Sequence, residues 1–277
     1  ILNNIIVAFP KQETAQNLRI IDDALFRLIA GDKEVCQEIL RVLLDDEDLI
    51  VLQAETQVNI SSLHREVTLD VLCKIAGKYV NVEVQKGKGN DDIRRTRFHL
   101  STITANETSK GTDFRQVPDV TVIYITEYDA LENGQVFTVS EMCMKTKDGY
   151  VPVHDGARIC YANTAVKDDS VKSELLQLFL EKAAFDDIRF PKLSDKIQYF
   201  KNTEKGRGEM CTLVEDYAKE YAEEYAKEYA EEYAKETLKE TARKLLQKGI
   251  SITDVIESTG LSEEDILAIK EETVLDK

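Results

Sequence analysis

The sequence has few of the residues on which disulfide-rich and zinc-binding domains depend. Its five cysteines form no CxxC pair, and only three histidines are present. Neither a disulfide framework nor a zinc knuckle is therefore indicated, and a reducing compartment such as the cytoplasm fits best. His64 and His154 have no paired ligand nearby in the sequence, which also disfavours a zinc-type nuclease centre.

Basic charge is scarce as well. The chain has 36 Lys and Arg residues against 52 Asp and Glu residues, which leaves a net charge of −16. This excess of negative charge disfavours broad, sequence-independent attraction to a polyanion over most of the surface. Any contact with nucleic acid must therefore be local.

Long hydrophobic runs are missing too. The apolar opening, residues 1–9, is too short to span a bilayer and lacks both a basic leader and a cleavage site. We therefore expect no membrane partner. The 277 residues are 43% hydrophobic and can bury a sizeable core, so one large domain, or one domain with an appendage, is expected.

The hydrophobic pattern predicts an α/β domain with the element order αβββαβ. Apolar residues at spacings of three and four, interrupted at Gly31, indicate two short helices between Ile21 and Leu44. Three β-rich stretches, a basic helix and a buried strand follow, with Gly77 in a hairpin turn. The first three strands are expected at 49–60, 66–76 and 79–85, the helix at about 91–106 and the next strand at 120–125.

Short strands and two further helices complete the globular part. Turn signals alternate with β-rich stretches between residues 135 and 163, and amphipathic helices are expected near 170–182 and 192–201. We place the end of this domain at residue 205.

A low-complexity long helix is predicted for residues 206–248. Tyr recurs at every fourth position and is followed each time by Ala, with Lys and Glu between. Four residues turn a helix by about 400°, so the Tyr stripe drifts by about 40° per repeat and cannot hold the seam of a heptad coiled coil. Two interpretations stay open: a solvated spacer helix, or a Tyr/Ala surface through which the chain forms a homo-oligomer.

Residues 249–277 have the pattern of a small helix-turn-helix unit. Ser251 and Ser262 are the expected N-caps, and Gly260 separates the two helices. A helix that reads DNA would carry basic residues, whereas the second helix begins with Glu263-Glu264-Asp265. Contact with another protein is therefore favoured for this unit.

Three polar residues on the second and third predicted strands could support catalysis. Asp70 and Glu83 are separated by twelve residues, so an antiparallel hairpin can bring them to one end of a sheet. Strand alternation then places Gln85 on the same face as Glu83. Two carboxylates this close repel each other unless a cation lies between them. Oxygen ligands suit Mg²⁺ or Mn²⁺, and metal-assisted phosphodiester hydrolysis is the natural chemistry of such a site.

A local excess of positive charge lies next to these acids. The segment from Lys86 to Arg97 has five basic and two acidic residues, a net +3 in a chain of −16. This asymmetry favours contact with phosphate. Gly87 and Gly89 do not indicate a dinucleotide-binding loop, because the third glycine and the following acidic residue are absent.

These features together resemble the PD-(D/E)XK nuclease superfamily, and within it the transposase-associated or recombination-promoting nucleases. The stretch Ile21–Asp32, with an acidic residue three before a Phe, is similar to that family's amino-terminal helix. Val67–Leu72 and Tyr79–Gln85 resemble its Asp strand and its E-x-Q strand, and Arg95–His99 matches the basic start of the next helix. The likeness covers most of residues 20–277.

The resemblance implies a restriction-endonuclease-like fold in residues 1–205, a mixed central sheet flanked by helices, with the C-terminal helices as an extension. It also implies a Mg²⁺- or Mn²⁺-dependent DNA endonuclease that acts in transposition, recombination or defence against foreign DNA. The implied roles are metal ligands for Asp70 and Glu83, orientation of the attacking water for Gln85 or Lys86, an outer-ligand or shaping role for Asp23, and phosphate contacts for Arg94, Arg95, Arg97 and His99.

Other interpretations of these residues stay open. The superfamily usually has Lys where this chain has Gln85, and an amide cannot be a charged acid or base. The alternative function is therefore a nuclease-fold protein that does not cut and serves as a DNA-binding or oligomeric interaction module. Asp23 could simply be a helix-start charge favoured by the helix dipole. His99 is expected to pack beside the site rather than to act as a base.

Overall fold

The computed structural model describes residues 16–61, 66–87 and 93–275. Only the backbone is described for 61, 66, 217–218, 220–236 and 271–275. The expectations for the apolar opening, for His64, for the link after Gly87 and for the side chains of the Tyr repeat therefore lie outside the described residues.

The chain divides into two compact units, with the boundary between Val214 and Glu215. The first unit begins with helices α1 (Asp23–Ala30) and α2 (Lys33–Leu44), strands β1 (Val51–Ser61), β2 (Glu66–Ile75) and β3 (Lys78–Gln85), and helix α3 (Arg94–Glu107). A 3₁₀ turn (Phe114–Gln116) then precedes strands β4 (Asp119–Thr126), β5 (Phe137–Glu141), β6 (Cys143–Thr146), β7 (Gly149–Pro152) and β8 (Ala157–Asn163). Helices α4 (Val171–Leu178), α5 (Pro191–Asn202) and α6 (Glu204–Gln247) follow.

Six strands form one mixed sheet in the order β1-β2-β3-β4-β8-β5, and β6 and β7 form a separate hairpin. The pairs β1/β2, β2/β3 and β5/β8 are antiparallel, whereas β3/β4 and β4/β8 are parallel. Helix α3 provides the crossover between the parallel strands β3 and β4, as parallel pairing requires. The predicted α/β class, the αβββαβ order and the mixed sheet flanked by helices are confirmed.

Helices α1 and α2 cover one face of the sheet. Their apolar residues recur at helical spacing, and Leu25, Ile29 and Ile39 are fully or almost fully buried in a core that includes Val82 from β3. A local hydrogen bond separates the two helices. The Asp32 carboxylate caps α2 by accepting a hydrogen bond from the Glu34 backbone N–H at 3.0 Å. The prediction of two helices with one buried stripe is confirmed.

Helix α3 covers the opposite face. It buries Thr96, His99 and Ile103, which lie along one side of the helix, and Ile103 packs in a second core with Leu69 and Val122. Because this stripe faces the sheet, the arginines at the start of α3 are left on the exposed side.

Two predicted boundaries differ from the structure. The helix expected at 170–182 ends at Leu178, where the Phe179 N–H bonds to the Leu176 carbonyl and tightens the last turn. The first domain, expected to end at residue 205, extends to Val214 because Met210 on α6 is fully buried in its core.

The second unit ends in two short helices, α7 (Ile252–Thr259) and α8 (Glu263–Leu275). The predicted caps are present, since Ser251 and Ser262 each accept a hydrogen bond at 3.2 Å from the backbone N–H three residues on. Gly260 ends α7 with φ +69°, a left-handed conformation that favours glycine. Within the described ranges, no helix combines the length and apolar character needed to cross a bilayer. A small core holds this unit together: Ala242, Val255, Leu261, Ile266 and Ile269.

Two glycines at the start of α6 allow a matched test of the packing between α5 and α6. A Cβ on Gly206 would lie 2.2 Å from the Tyr199 carbonyl oxygen, whereas a Cβ on Gly208 would meet no described atom within 4 Å. We expect Gly206→Ala to lower the free energy of unfolding by about 1–3 kcal/mol, and Gly208→Ala to raise it by up to about 1 kcal/mol. Urea denaturation of both variants measures this, and equal effects would contradict the proposed contact.

Candidate active site

Asp70 and Glu83 meet where the pairing between β2 and β3 stops. The last paired residues are Val71 and Val82, so Asp70 and Glu83 would form the next pair. Instead their carboxylates replace the backbone bonds: the Asp70 N–H donates to Glu83 Oε1 at 3.2 Å, and the Val84 N–H donates to Asp70 Oδ2 at 3.0 Å. Each acid is thus held by the backbone of the opposite strand.

The strand also rotates at this point. Leu69 and Val71 are two residues apart, yet Leu69 lies in the core beneath α3 and Val71 lies in the core beneath α1 and α2. A regular strand would place both on one face. The rotation accompanies a left-handed residue on β1, Gln57 with φ +56°, which falls between the positions that pair with Leu69 and Val71. It turns Asp70 towards the backbone of β3.

Each carboxylate has one oxygen held by the backbone and one oxygen that faces an arginine. Asp70 Oδ1 lies 4.0 Å from Arg27 Nη2, and Glu83 Oε2 lies 3.6 Å from Arg95 Nη2. Glu83 is 1% exposed, and its Oε2 accepts no hydrogen bond within the described part of the chain. A buried charged oxygen without a hydrogen-bond partner is energetically unfavourable, so the site is incomplete without a further ligand for this oxygen.

Asp23 brings a third carboxylate to this place. It is the first residue of α1, and Arg27, one turn later, donates from Nε to Asp23 Oδ1 at 2.6 Å. Burial raises the pKa of Asp23 above its ordinary value, although Arg27 opposes the shift. Burial and the charges of Glu83 and Asp23 likewise raise the pKa of Asp70 well above the usual range. Burial is the largest cause of both shifts, and the nearby arginine charges offset burial and the repulsion between the acids only in part.

Two polar residues support Glu83 from beneath α3. Asn81, two residues earlier on β3 and fully buried, donates from Nδ2 to Glu83 Oε1 at 2.8 Å. His99 is 5% exposed, and its Nδ1 lies 3.3 Å from the same oxygen. His99 is thus buried against Glu83.

The other predicted site residues lie at the rim. Gln85 is half-buried at the end of β3, and Arg94 and Arg97 are exposed on the first turn of α3. The Lys86 ammonium lies 2.8 Å from Asp22 Oδ1, so the structure pairs it with that acid. Lys86 is the predicted alternative to Gln85 for orienting water.

The structure therefore brings together Asp23, Asp70, Glu83, Arg95 and His99, all of which the sequence singled out. Arg27 and Asn81 were missed. Both had a signal: Arg27 follows Asp23 by four residues on one helix, and Asn81 is a polar residue in an apolar strand on the same face as Glu83.

The residues fit a hard divalent cation. Two buried carboxylates each have an oxygen that no backbone N–H holds, and Glu83 Oε2 has no hydrogen-bond partner within the described residues. Within the described ranges, no group of three or more His, Cys, Asp or Glu side chains has the spacing of a complete metal cage. Mg²⁺ does not need one, because it keeps several waters and binds through one or two carboxylates. Asp70 and Glu83 would be its ligands, with Asp23 near them.

Comparison with known families agrees with this geometry. The family model described as PD-(D/E)XK nuclease family transposase matches residues 21–244. The model described as Rpn/YhgA-like nuclease family, C-terminal HTH domain, matches residues 235–271. No curated protein matches the chain. Since the first match spans well over half of the sequence and includes α1, β2, β3 and α3, the chain belongs to the PD-(D/E)XK nuclease family transposases.

Proposed function

We propose that this nuclease-family chain is a Mg²⁺- or Mn²⁺-dependent DNA endonuclease that acts in genome rearrangement or in defence against foreign DNA. The single observation that supports metal dependence is the buried Asp70–Glu83 pair. In each carboxylate, one oxygen accepts a hydrogen bond from a backbone N–H and the other faces an arginine guanidinium. Five free cysteines fit a reducing compartment, and the cytoplasm is part of the proposal.

Different side chains have different proposed roles in hydrolysis. A bound Mg²⁺ would polarise the scissile phosphate and lower the pKa of a water. Asp70 and Glu83 would hold the ion. Gln85 is placed at the end of the same strand face as Glu83 and is assigned to orient the attacking water through its amide carbonyl. Because Asp22 engages Lys86, we prefer Gln85 for this role.

Positive charge at the start of α3 would hold the DNA backbone. Arg94, Arg95 and Arg97 lie on the exposed side of the first turn, and Arg95 also reaches Glu83. A guanidinium binds phosphate through paired hydrogen bonds, so these residues position the strand beside the acids. The negative charge elsewhere on the chain confines DNA to this region.

The C-terminal unit is proposed to add an interaction surface. Its family description is that of a helix-turn-helix domain, a class that often places its second helix in the major groove. In this chain that helix, α8, begins with three acidic residues, Glu263-Glu264-Asp265. Acidic side chains repel phosphate, so α8 is better suited to a protein contact.

Conservative replacement of the two acids tests the proposed chemistry. We expect Asp70→Asn and Glu83→Gln each to reduce Mg²⁺-dependent nicking of a plasmid by more than about 100-fold, because each removes a metal ligand. Glu141→Gln, on the exposed edge strand β5, is the matched control and should be unaffected. Equal activity in all four proteins would reject the site, and absence of metal-dependent nicking in the parent would favour the non-cutting alternative.

The same Asp70 variant should be more stable than the parent when metal is removed. Because the folded-state pKa of Asp70 is raised, the parent loses stability as pH rises from the ordinary aspartate range towards that pKa. At neutral pH we expect Asp70→Asn to raise the free energy of unfolding by on the order of 1 kcal/mol, measured in urea with EDTA. Asp113→Asn should give no gain, since Arg115 lowers the pKa of that exposed carboxyl. A neutral or destabilising Asp70→Asn would contradict the repulsion.

The C-terminal region is proposed to set the oligomeric state. A chain ending at Val214 keeps Met210 in the first core, and a chain ending at Lys248 keeps α6 but removes α7 and α8. We expect light scattering to show an oligomer of the 31.4 kDa chain and a monomer after truncation at Val214. The Lys248 truncation separates α6 from the terminal unit, and an oligomer that survives truncation at Val214 would exclude the idea.

A further inference from the structure

Asn81 is a fully buried amide in the middle of an apolar strand. Its neighbours Val80 and Val82 are buried on the opposite face of β3. Asn81 and Glu83 are two residues apart and so project from the same face, beneath α3. The amide donates from Nδ2 to Glu83 Oε1 at 2.8 Å, a shorter contact than those of the Asp70 N–H and His99 Nδ1 with the same oxygen.

The two oxygens of Glu83 have different surroundings. Among the described residues, the Asp70 backbone N–H at 3.2 Å and Asn81 Nδ2 at 2.8 Å donate hydrogen bonds to Oε1, and His99 Nδ1 lies 3.3 Å from it. Oε2 accepts no hydrogen bond from the part of the chain that the structure describes, and Arg95 Nη2 approaches it at 3.6 Å. The terminal torsion of a glutamate is broad and roughly two-fold. Donors concentrated on Oε1 therefore decide which oxygen is left for another ligand.

Fold stability does not account for an amide at this position. The Asn81 carbonyl Oδ1 is buried and has no hydrogen-bond partner within the described residues. An unsatisfied buried acceptor destabilises the folded protein, and a branched apolar residue would suit a strand better. The compensating interaction is the bond to Glu83, which points to a role in the site.

We propose that Asn81 is a positioning residue: it fixes Glu83 Oε1 and thereby presents Oε2 to the divalent cation. His99 lies against Oε1 on the α3 side and limits rotation of the carboxylate there. The proposal rests on the proposed function, because it takes Glu83 to be a metal ligand. Residues that orient metal ligands typically change metal affinity 10- to 100-fold when they are replaced.

Binding of Mn²⁺ to the full chain tests the positioning role of Asn81 independently of cleavage. The electron paramagnetic resonance signal of the free ion measures that binding. Asn81→Leu removes the donor with little change in volume. We expect its Kd for Mn²⁺ to rise about 10- to 100-fold, while its midpoint of thermal unfolding without metal is equal to the parent's or higher. Should the leucine variant not fold, Asn81→Ala removes the same donor and is expected to weaken binding similarly.

Two further variants separate the possible outcomes. Thr96→Val is the matched control, because Thr96 is a buried polar residue of α3 that bonds to Tyr161 and the Ile93 carbonyl. It should bind Mn²⁺ like the parent, and Glu83→Gln should bind it far more weakly. If both Asn81 variants bind Mn²⁺ as tightly as the parent while Glu83→Gln binds it weakly, the positioning role alone is overturned. The same holds if Thr96→Val weakens Mn²⁺ binding as much as the Asn81 variants do. A parent that binds no Mn²⁺, or Glu83→Gln with parent affinity, would overturn the proposed metal site and this role together.

Discussion

Reciprocal hydrogen bonds between Asp70, Glu83 and the two strand backbones fix the geometry on which the site depends. The Asp70 N–H holds Glu83, and the Val84 N–H holds Asp70, at the point where β2 and β3 cease to pair. Backbone donors are rigid, so the two acids keep their places although they repel each other. These bonds depend on the hairpin register, on the rotation of β2 at Asp70 and on the burial of Glu83 beneath α3.

Charge near the acids is arranged differently from charge over the whole chain. The net charge is −16, yet Arg27 and Arg95 approach the acidic cluster from α1 and α3. The two helices lie on opposite faces of the sheet, so the cluster is partly neutralised from both sides. Burial, together with the charges of Glu83 and Asp23, raises the pKa of Asp70, and Arg27 offsets this shift only in part. A divalent cation would complete the neutralisation, and Arg95, exposed on one side, would remain available to phosphate.

The sequence predicted the fold because its signals were periodic and local. Spacings of three and four in α1 and α2, alternation in β3 and the caps Ser251 and Ser262 depend on neighbouring residues, and each was confirmed. The juxtaposition of Asp70 and Glu83 followed from one hairpin turn. Contacts that depend on packing between distant elements were not predictable: Met210 joins the first core, and Lys86 pairs with Asp22.

The least predictable feature is the orientation of individual oxygens, which depends on the rotation of β2 at Asp70 and on Asn81 beneath α3. Anomalous diffraction from a crystal soaked in Mn²⁺ locates the ion relative to those oxygens. We expect a peak within bonding distance of Asp70 Oδ1 and Glu83 Oε2. A peak bonded to other residues, or no peak beside this pair at saturating Mn²⁺, would contradict it.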